Sequence, residues 1–363
     1  MMPPVKPERL AGFDVARALA ILGMIGVHFM LVMSDGMSAE SWSDGLLVAL
    51  DGRPAATFVI LAGIGVTLMG GRGGGPDPVA ESRRLDRSLY RRGGFLLGCG
   101  FLNLTYWEGD ILRVYGVSLL LMPWLRRRSA RVLGWVGAGF VLAFPALMVC
   151  WNYDRNWDWA TITYHHLWTP SGLVRNLFYD GFRSVFPWTG LLIFGVWLGR
   201  LDWAVPTVAR RVAGWGLGLA AGSWLVSAGL LAIFHTNPQP GLDSTTAKAL
   251  FGLQSLPPLP LYLLHDVGCA LLVIGAAVLA VRHWPRAWPL TALAATGRMA
   301  FTWYLAHLIL GLGGVILLGW LRTSHFRALL TAFGFFGMAV SVSVAWRKRF
   351  SHGPMEYVLR RIG

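Results

Sequence analysis

Apolar residues in this chain neither alternate nor keep to one helical face; they fill unbroken runs separated by short polar stretches. The runs fall near residues 12–33, 54–70, 88–106, 110–124, 131–151, 185–200, 209–233, 258–281, 298–320 and 326–346. A helix of about 20 apolar residues, at roughly 1.5 Å rise each, spans the ~30 Å hydrocarbon core of a bilayer. The pattern therefore predicts an all-α, polytopic membrane helix bundle of about ten transmembrane helices, forming a single integral-membrane domain over residues 1–363.

Polar residues inside such runs carry the information. The first run, Arg9 to Met33, contains three ionisable residues that a lipid-facing helix avoids: Asp14, Arg17 and His28. Arg17 and His28 are 11 positions apart, and at about 100° per residue 11 steps return to within roughly 20° of the starting direction. They share one face, about 16 Å apart along the axis. Asp14 sits one turn before Arg17, in reach of an ion pair. Intramembrane charges are costly and mark functional sites by default. The plainer alternative is a snorkelling Asp14–Arg17 pair and a hydrogen-bonded packing role for His28.

Composition confirms the class. A mean hydropathy of +0.53, with 55% hydrophobic residues, 14% charged and 18 Trp, excludes a water-soluble globular protein. The net charge of +14 would suit a nucleic-acid partner, but the basic residues are sorted by loop. With the N-terminus inside, 24 of the 32 Lys and Arg fall at inner loops or inner helix ends, which predicts both termini cytoplasmic and makes the charge a topology signal. Cys99, Cys150 and Cys269 are few and set among apolar residues, so neither a disulfide framework nor a metal site is expected. The first apolar run lacks a small-residue cleavage pattern after it, so no cleavable signal peptide is expected.

Several connections carry further polar groups. Asp51-Gly52-Arg53-Pro54 opens the second run, where Pro54 suits a first helical turn and Arg53 stands at a positive helix end. Such an end is an anion or oxyanion site, or simply a helix start with a snorkelling Arg. The glycine-rich inner loop 71–87 lacks Walker spacing and reads as a flexible linker, and the Gly-x-Gly elements at 63–65, 216–218 and 311–313 read as close helix packing. In the outer turn Trp107-Glu108-Gly109-Asp110 and the segment after it, Glu108, Asp110, Arg113 and Tyr115 are candidate site-lining residues, Asp110 also being a good helix cap. The long connection Trp151 to Pro187, with Trp157, Trp159, Tyr164, His165, His166 and Trp168, reads as an interfacial aromatic belt. His265 and Asp266 sit in the eighth run; the ninth opens at Gly297-Arg298-Met299 and carries Tyr304 and His307 deeper in the membrane. The basic tail with Gly353-Pro354-Met355-Glu356-Tyr357 reads as an amphipathic inner-surface end.

Four segments in this order, FDVARALAILGMIGVH at the start, WEGDILRVY at 107–115, GRMAFTWYLAH at 297–307 and GPMEYVLR at 353–360, resemble the YeiB-like family of bacterial membrane proteins. That family is grouped in a transmembrane acyltransferase superfamily with heparan-α-glucosaminide N-acetyltransferase and membrane acyltransferase family 3. The Arg17-to-His28 spacing also matches that of family 3, whose His is taken as catalytic. YeiB-like and heparan-type relatives usually carry Asn where this chain has His28, and YeiB-like proteins often carry Gln where it has His307.

The resemblance implies transfer of an acyl group, expected to be acetyl, from cytoplasmic acetyl-CoA or another acyl-CoA to an extracytoplasmic glycan or lipid acceptor, in the bacterial cytoplasmic (inner) membrane. It implies membrane lipids as surroundings, no metal and no nucleic acid, and it is compatible with a homo-oligomer. In this scheme His28 takes the acceptor proton, with Arg17 and Asp14 beside it in the catalytic set. Arg298, Tyr304 and His307 face the donor, and Asp51, Arg53, Glu108, Asp110, Arg113 and Tyr115 face the acceptor. The alternative is a small-molecule or lipid transporter or flippase that uses the same polar stripe as a path.

Overall fold

The computed structural model describes residues 11–34, 41–70, 77–237 and 242–363. In chain order its helices are α1 (Ala11–Met33), α2 (Ser41–Leu50), α3 (Arg53–Met69), α4 (Pro78–Asn103), α5 (Leu112–Leu125), α6 (Ala130–Cys150), α7 (Pro170–Arg175), α8 (Val185–Leu198), α9 (Pro206–Thr236), α10 (Ser244–Phe251), α11 (Pro260–His283), α12 (Trp288–Gly297), α13 (Ala300–Ala306), α14 (Gly313–Leu317), α15 (His325–Arg347) and α16 (Pro354–Ile362). Wide π-turns follow α7 at Asn176–Asp180 and α13 at His307–Leu312, and a two-residue antiparallel pair joins β1 (Trp157–Asp158) to β2 (Thr163–Tyr164).

Helices occur at all ten predicted runs, but not all are full spans. Among the described residues six are long and apolar enough to cross a membrane: α1, α6, α9, α11, the continuous Ala300–Leu317 and α15. A seventh is formed if Pro170–Asp180 and Val185–Leu198, bent by 47°, count as one broken span. Arg53–Met69 and Leu112–Leu125 are apolar but shorter, and α4 begins with ten residues rich in charge.

Other differences have local causes. Residues 71–76 of the glycine-rich loop lie outside the described residues, but from Pro78 onward the expected linker is helical. Asp77 caps α4 by accepting from the Ala80 amide (2.9 Å) with Pro78 in the first turn. Gly297 and Arg298 end the unpredicted helix α12 rather than opening the next span.

The chain divides into two compact units. The first comprises Met1–Thr57, Trp203–Leu217 and Cys269–Tyr357, the second Phe58–Asp202, Gly218–Gly268 and Val358–Gly363. In the first, α1 is the centre: it packs against α12, α13 and α15, and 61% of its most apolar stretch is buried, against 17% for α6 and for α9. An apolar helix left so open fits a lipid-facing wall, whereas α1 holds its polar residues inside protein.

In the second unit α4 packs on α5, and α8 on both α5 and α6. Glycines set these distances. A side chain on Gly63 would overlap the backbone of α8, one on Gly195 the backbone of α3, and one on Gly93 would come 2.9 Å from the Gly116 carbonyl. Of the Gly-x-Gly elements, Gly63 and Gly311 do lie in tight packing, while Gly218 and Gly313 have open space around them.

Candidate functional site

In the first unit the polar residues of α1 divide into two groups at opposite ends of one helix. Toward its start, the Asp14 carboxylate is 1% exposed and accepts from two guanidiniums. Arg17 donates to Oδ1 at 2.5 Å and Arg298 to Oδ2 at 3.2 Å. Among the described residues, one buried acid between two partly exposed Arg makes a cluster with a positive excess, suited to phosphate groups. It needs close backbone contact: a Cβ on Gly297 would overlap the Asp14 carbonyl, so only glycine lets α12 deliver Arg298 here.

Toward the other end, His28 Nδ1 lies 2.9 Å from His307 Nε2, with the rings stacked at 5.1 Å between centroids and 21° between planes. His307 is fully buried, and its Nδ1–H donates to the Trp303 carbonyl at 3.1 Å. That bond leaves Nε2 of His307 as an acceptor, so His28 Nδ1–H donates to it. With both imidazoles neutral, the network places the lone pair of His28 on Nε2. Tyr304 packs edge-on against His307 at 5.5 Å. His307 opens the π-turn, a wide helical turn of the kind that recurs at functional sites.

The start of α3 approaches the same helix. Gly52 takes φ +80°, reversing the chain after Asp51, and Arg53, 8% exposed, donates to the Asp51 carbonyl. Pro54 packs against α1 at Gly23, where a side chain on the glycine would come within 2.5 Å of the ring. Gly23 precedes His28 by five residues, about 7.5 Å along the axis.

A connection that the sequence does not reveal runs from the tail. Glu356 of α16 accepts from the Phe301 amide (2.7 Å), the Thr302 amide (3.0 Å) and the Thr302 hydroxyl (2.6 Å), capping α13, the helix that presents His307. The available signal was a single acid after Gly-Pro in a basic tail. Burial raises the Glu356 pKa above the ordinary 4.5, the three hydrogen bonds opposing it. The folded protein thus holds this proton where the unfolded chain has released it, and stability falls as pH rises through the interval above 4.5. Glu356→Gln is expected to flatten that slope, and Glu356→Ala to cost about 1–3 kcal/mol at the lost cap. Unfolding midpoints of the purified protein across pH check both, and a pH slope unchanged in Glu356→Gln would refute the assignment.

In the second unit Asp110 and Arg113 are wholly buried. Asp110 accepts from Asn103 (2.9 Å) and from the Arg113 amide (3.1 Å), one residue ahead of Ile111, which stands at the cap position in place of the expected Asp110, and Arg113 donates to Asn176 (2.7 Å). The network ties the end of α4 to the start of α5 and to the π-turn before α8. As placed, these two residues hold the fold together. Tyr115 is buried against Phe58, and Glu108 is half-buried with a raised pKa, chiefly through burial. His265 bonds the Ala220 carbonyl of α9 (3.0 Å), a helix-to-helix tie. His165 and His166 are exposed, and no group of metal-ligating residues occurs among the described residues.

Comparison with known families gives two matches. The model described as heparan-alpha-glucosaminide N-acetyltransferase, catalytic, matches residues 9–235, and that of a protein of unknown function (DUF418) matches residues 197–363. No curated protein matches the chain. The first match contains Asp14, Arg17 and His28, and the second contains Arg298, His307 and Glu356.

Proposed function

Because the chain belongs to the YeiB-like, heparan-α-glucosaminide N-acetyltransferase-related family of membrane proteins, we propose that it transfers an acyl group, acetyl foremost, from cytoplasmic acyl-CoA to a hydroxyl or amine of an extracytoplasmic acceptor. The observation that carries this reading is the arrangement of α1. A cationic cluster at one end suits the phosphates of the donor, and an imidazole held in the basic tautomer stands at the other.

In the proposed reaction the acceptor O–H or N–H attacks the thioester carbon while His28 Nε2 takes its proton. The C–S bond then breaks, and the imidazolium returns the proton to the leaving thiolate. Arg53 and the start of α3 stabilise the oxyanion formed between these steps. Arg17, Arg298 and the inner basic residues hold the donor, with Tyr304 along its path. In this scheme both termini and the donor lie on the cytoplasmic side of a bacterial inner membrane.

Thermal unfolding of the purified protein with and without CoA tests the reading directly. CoA is expected to raise the midpoint, less so at high salt because its phosphates are charged, and labelled acetyl-CoA is expected to lose its acetyl group to an extracytoplasmic glycan or lipid fraction. Absence of any CoA-dependent shift would leave a transporter as the better reading.

A further inference from the structure

The second unit contains an unbalanced cation with no assigned task. The broken span between Asp180 and Val185 turns through Gly181, Phe182, Arg183 and Ser184. Arg183 is 8% exposed, and its guanidinium carbon lies 4.8 Å from the Trp188 ring and 5.1 Å from the Phe182 ring. Its hydrogen bond goes to the adjacent Phe182 carbonyl (3.0 Å), and it has no ion-pair partner among the described residues. The neighbouring acid, Asp180, is already held by Arg175 (2.8 Å) and the Tyr164 hydroxyl (2.6 Å). A buried cation lacking a counter-charge is costly, and stacking on aromatic rings offsets only part of that.

Two further donors of this unit are without partners. Trp188 is fully buried and its indole N–H is without a partner. Tyr153 is 5% exposed and its hydroxyl is likewise without one. Burial raises the Tyr153 pKa; the field of Arg183 opposes that rise, while those of Asp180 and Asp154 add to it. The regular part of α8 starts after Phe186, whose backbone is non-helical, and carries its own partial positive charge; Ser184 donates to the Phe186 carbonyl, and no side chain caps the head of the helix. Breaks of this kind, with a half-helix N-terminus facing a polar cluster, are where membrane proteins bind anionic groups.

We propose that the Gly181–Ser184 break is a binding site for an anionic group, a carboxylate or a phosphate, with Arg183, Tyr153 and Trp188 as its donors. Calling the ligand the acyl acceptor rests on the function proposed above. On that reading the acceptor is an acidic sugar or a phosphate-linked glycolipid, held by its charge.

The test uses the full-length protein in detergent, with inorganic phosphate and, separately, glucuronate as probes at constant ionic strength. Phosphate or glucuronate is expected to raise the unfolding midpoint of the parent, and the stronger of the two names the source. Arg183→Gln should weaken the apparent affinity by about tenfold or more, since a charge-assisted hydrogen bond is lost. Tyr153→Phe should weaken it about threefold. Arg155→Gln, an exposed change away from the break, should leave it as in the parent. If Arg183→Gln does not fold, Tyr153→Phe and Trp188→Phe decide, and parental affinity in both overturns the site. A parent indifferent to both anions, or an Arg183→Gln variant that binds as well as the parent, overturns it too. Acyl transfer with anion binding indifferent to Arg183 removes this site and keeps the transferase; Arg183-dependent binding without acyl transfer does the reverse.

Discussion

His28→Ala is expected to lower acyl transfer by about 10²–10⁴-fold, the usual contribution of a general base, while folding and CoA binding persist. The reason is the bond between His28 Nδ1 and His307 Nε2 at 2.9 Å, with His307 anchored in turn on the Trp303 carbonyl at 3.1 Å. In this pair His307 acts as a positioning residue: it dictates which nitrogen of His28 bears the lone pair. His307→Ala is expected to lower kcat with an unchanged KM for the donor. His307→Gln, whose amide oxygen also accepts from Nδ1–H, should recover much of the loss. Single-turnover rates and CoA-induced stabilisation measured on the same preparations separate chemistry from binding. A His28→Asn variant with near-parental rate would place the base elsewhere, and His307→Gln no better than His307→Ala would remove the tautomer argument.

Asp14→Ala should be the most destabilising single change in α1. Removing one partner of a buried ion pair typically costs about 3–5 kcal/mol, and here the lost carboxylate leaves two guanidiniums, Arg17 and Arg298, facing each other. Their partial exposure, 23% and 30%, lets solvent offset some of this, so about 2–3 kcal/mol is the expected value. Asp14→Asn keeps the volume and one acceptor, and should cost less. Gly297→Ala attacks the same point differently, by driving a methyl group into the Asp14 carbonyl, with about 1–3 kcal/mol expected from overpacking. Both variants should also weaken CoA stabilisation, since both displace Arg298. Unfolding midpoints with and without CoA read both effects, and an Asp14→Ala protein as stable and as responsive to CoA as the parent would contradict the cluster's role.

The candidate site was only half legible from the chain. Arg17 and His28 stood out because a helix period of 3.6 puts them on one face and because a bilayer penalises both. The pairing of Asp14 with Arg17 followed from a separation of three residues. Glu108, Asp110 and Arg113 looked alike in sequence, as charges beside an outer turn. Burial separates them: Asp110 and Arg113 are closed into a network with Asn103 and Asn176, which spacing alone does not disclose. Arg183, Tyr153 and Trp188 drew no attention, because an Arg and two aromatics near a membrane surface are ordinary until their partners are counted.

Apolar runs, the sorting of basic residues and local caps are properties of contiguous residues, so the chain by itself determined that this is an all-helical membrane protein with a stripe of ionisable residues on its first helix. Span lengths, the broken helix before Val185 and the pairings of His28 with His307, Asp14 with Arg298 and Thr302 with Glu356 were decided only by tertiary structure. These pairs lie 279, 284 and 54 residues apart. No local propensity acts over such separations; the contacts exist because packed helices bring the groups together and because, away from water, each polar group must find its partner in the protein.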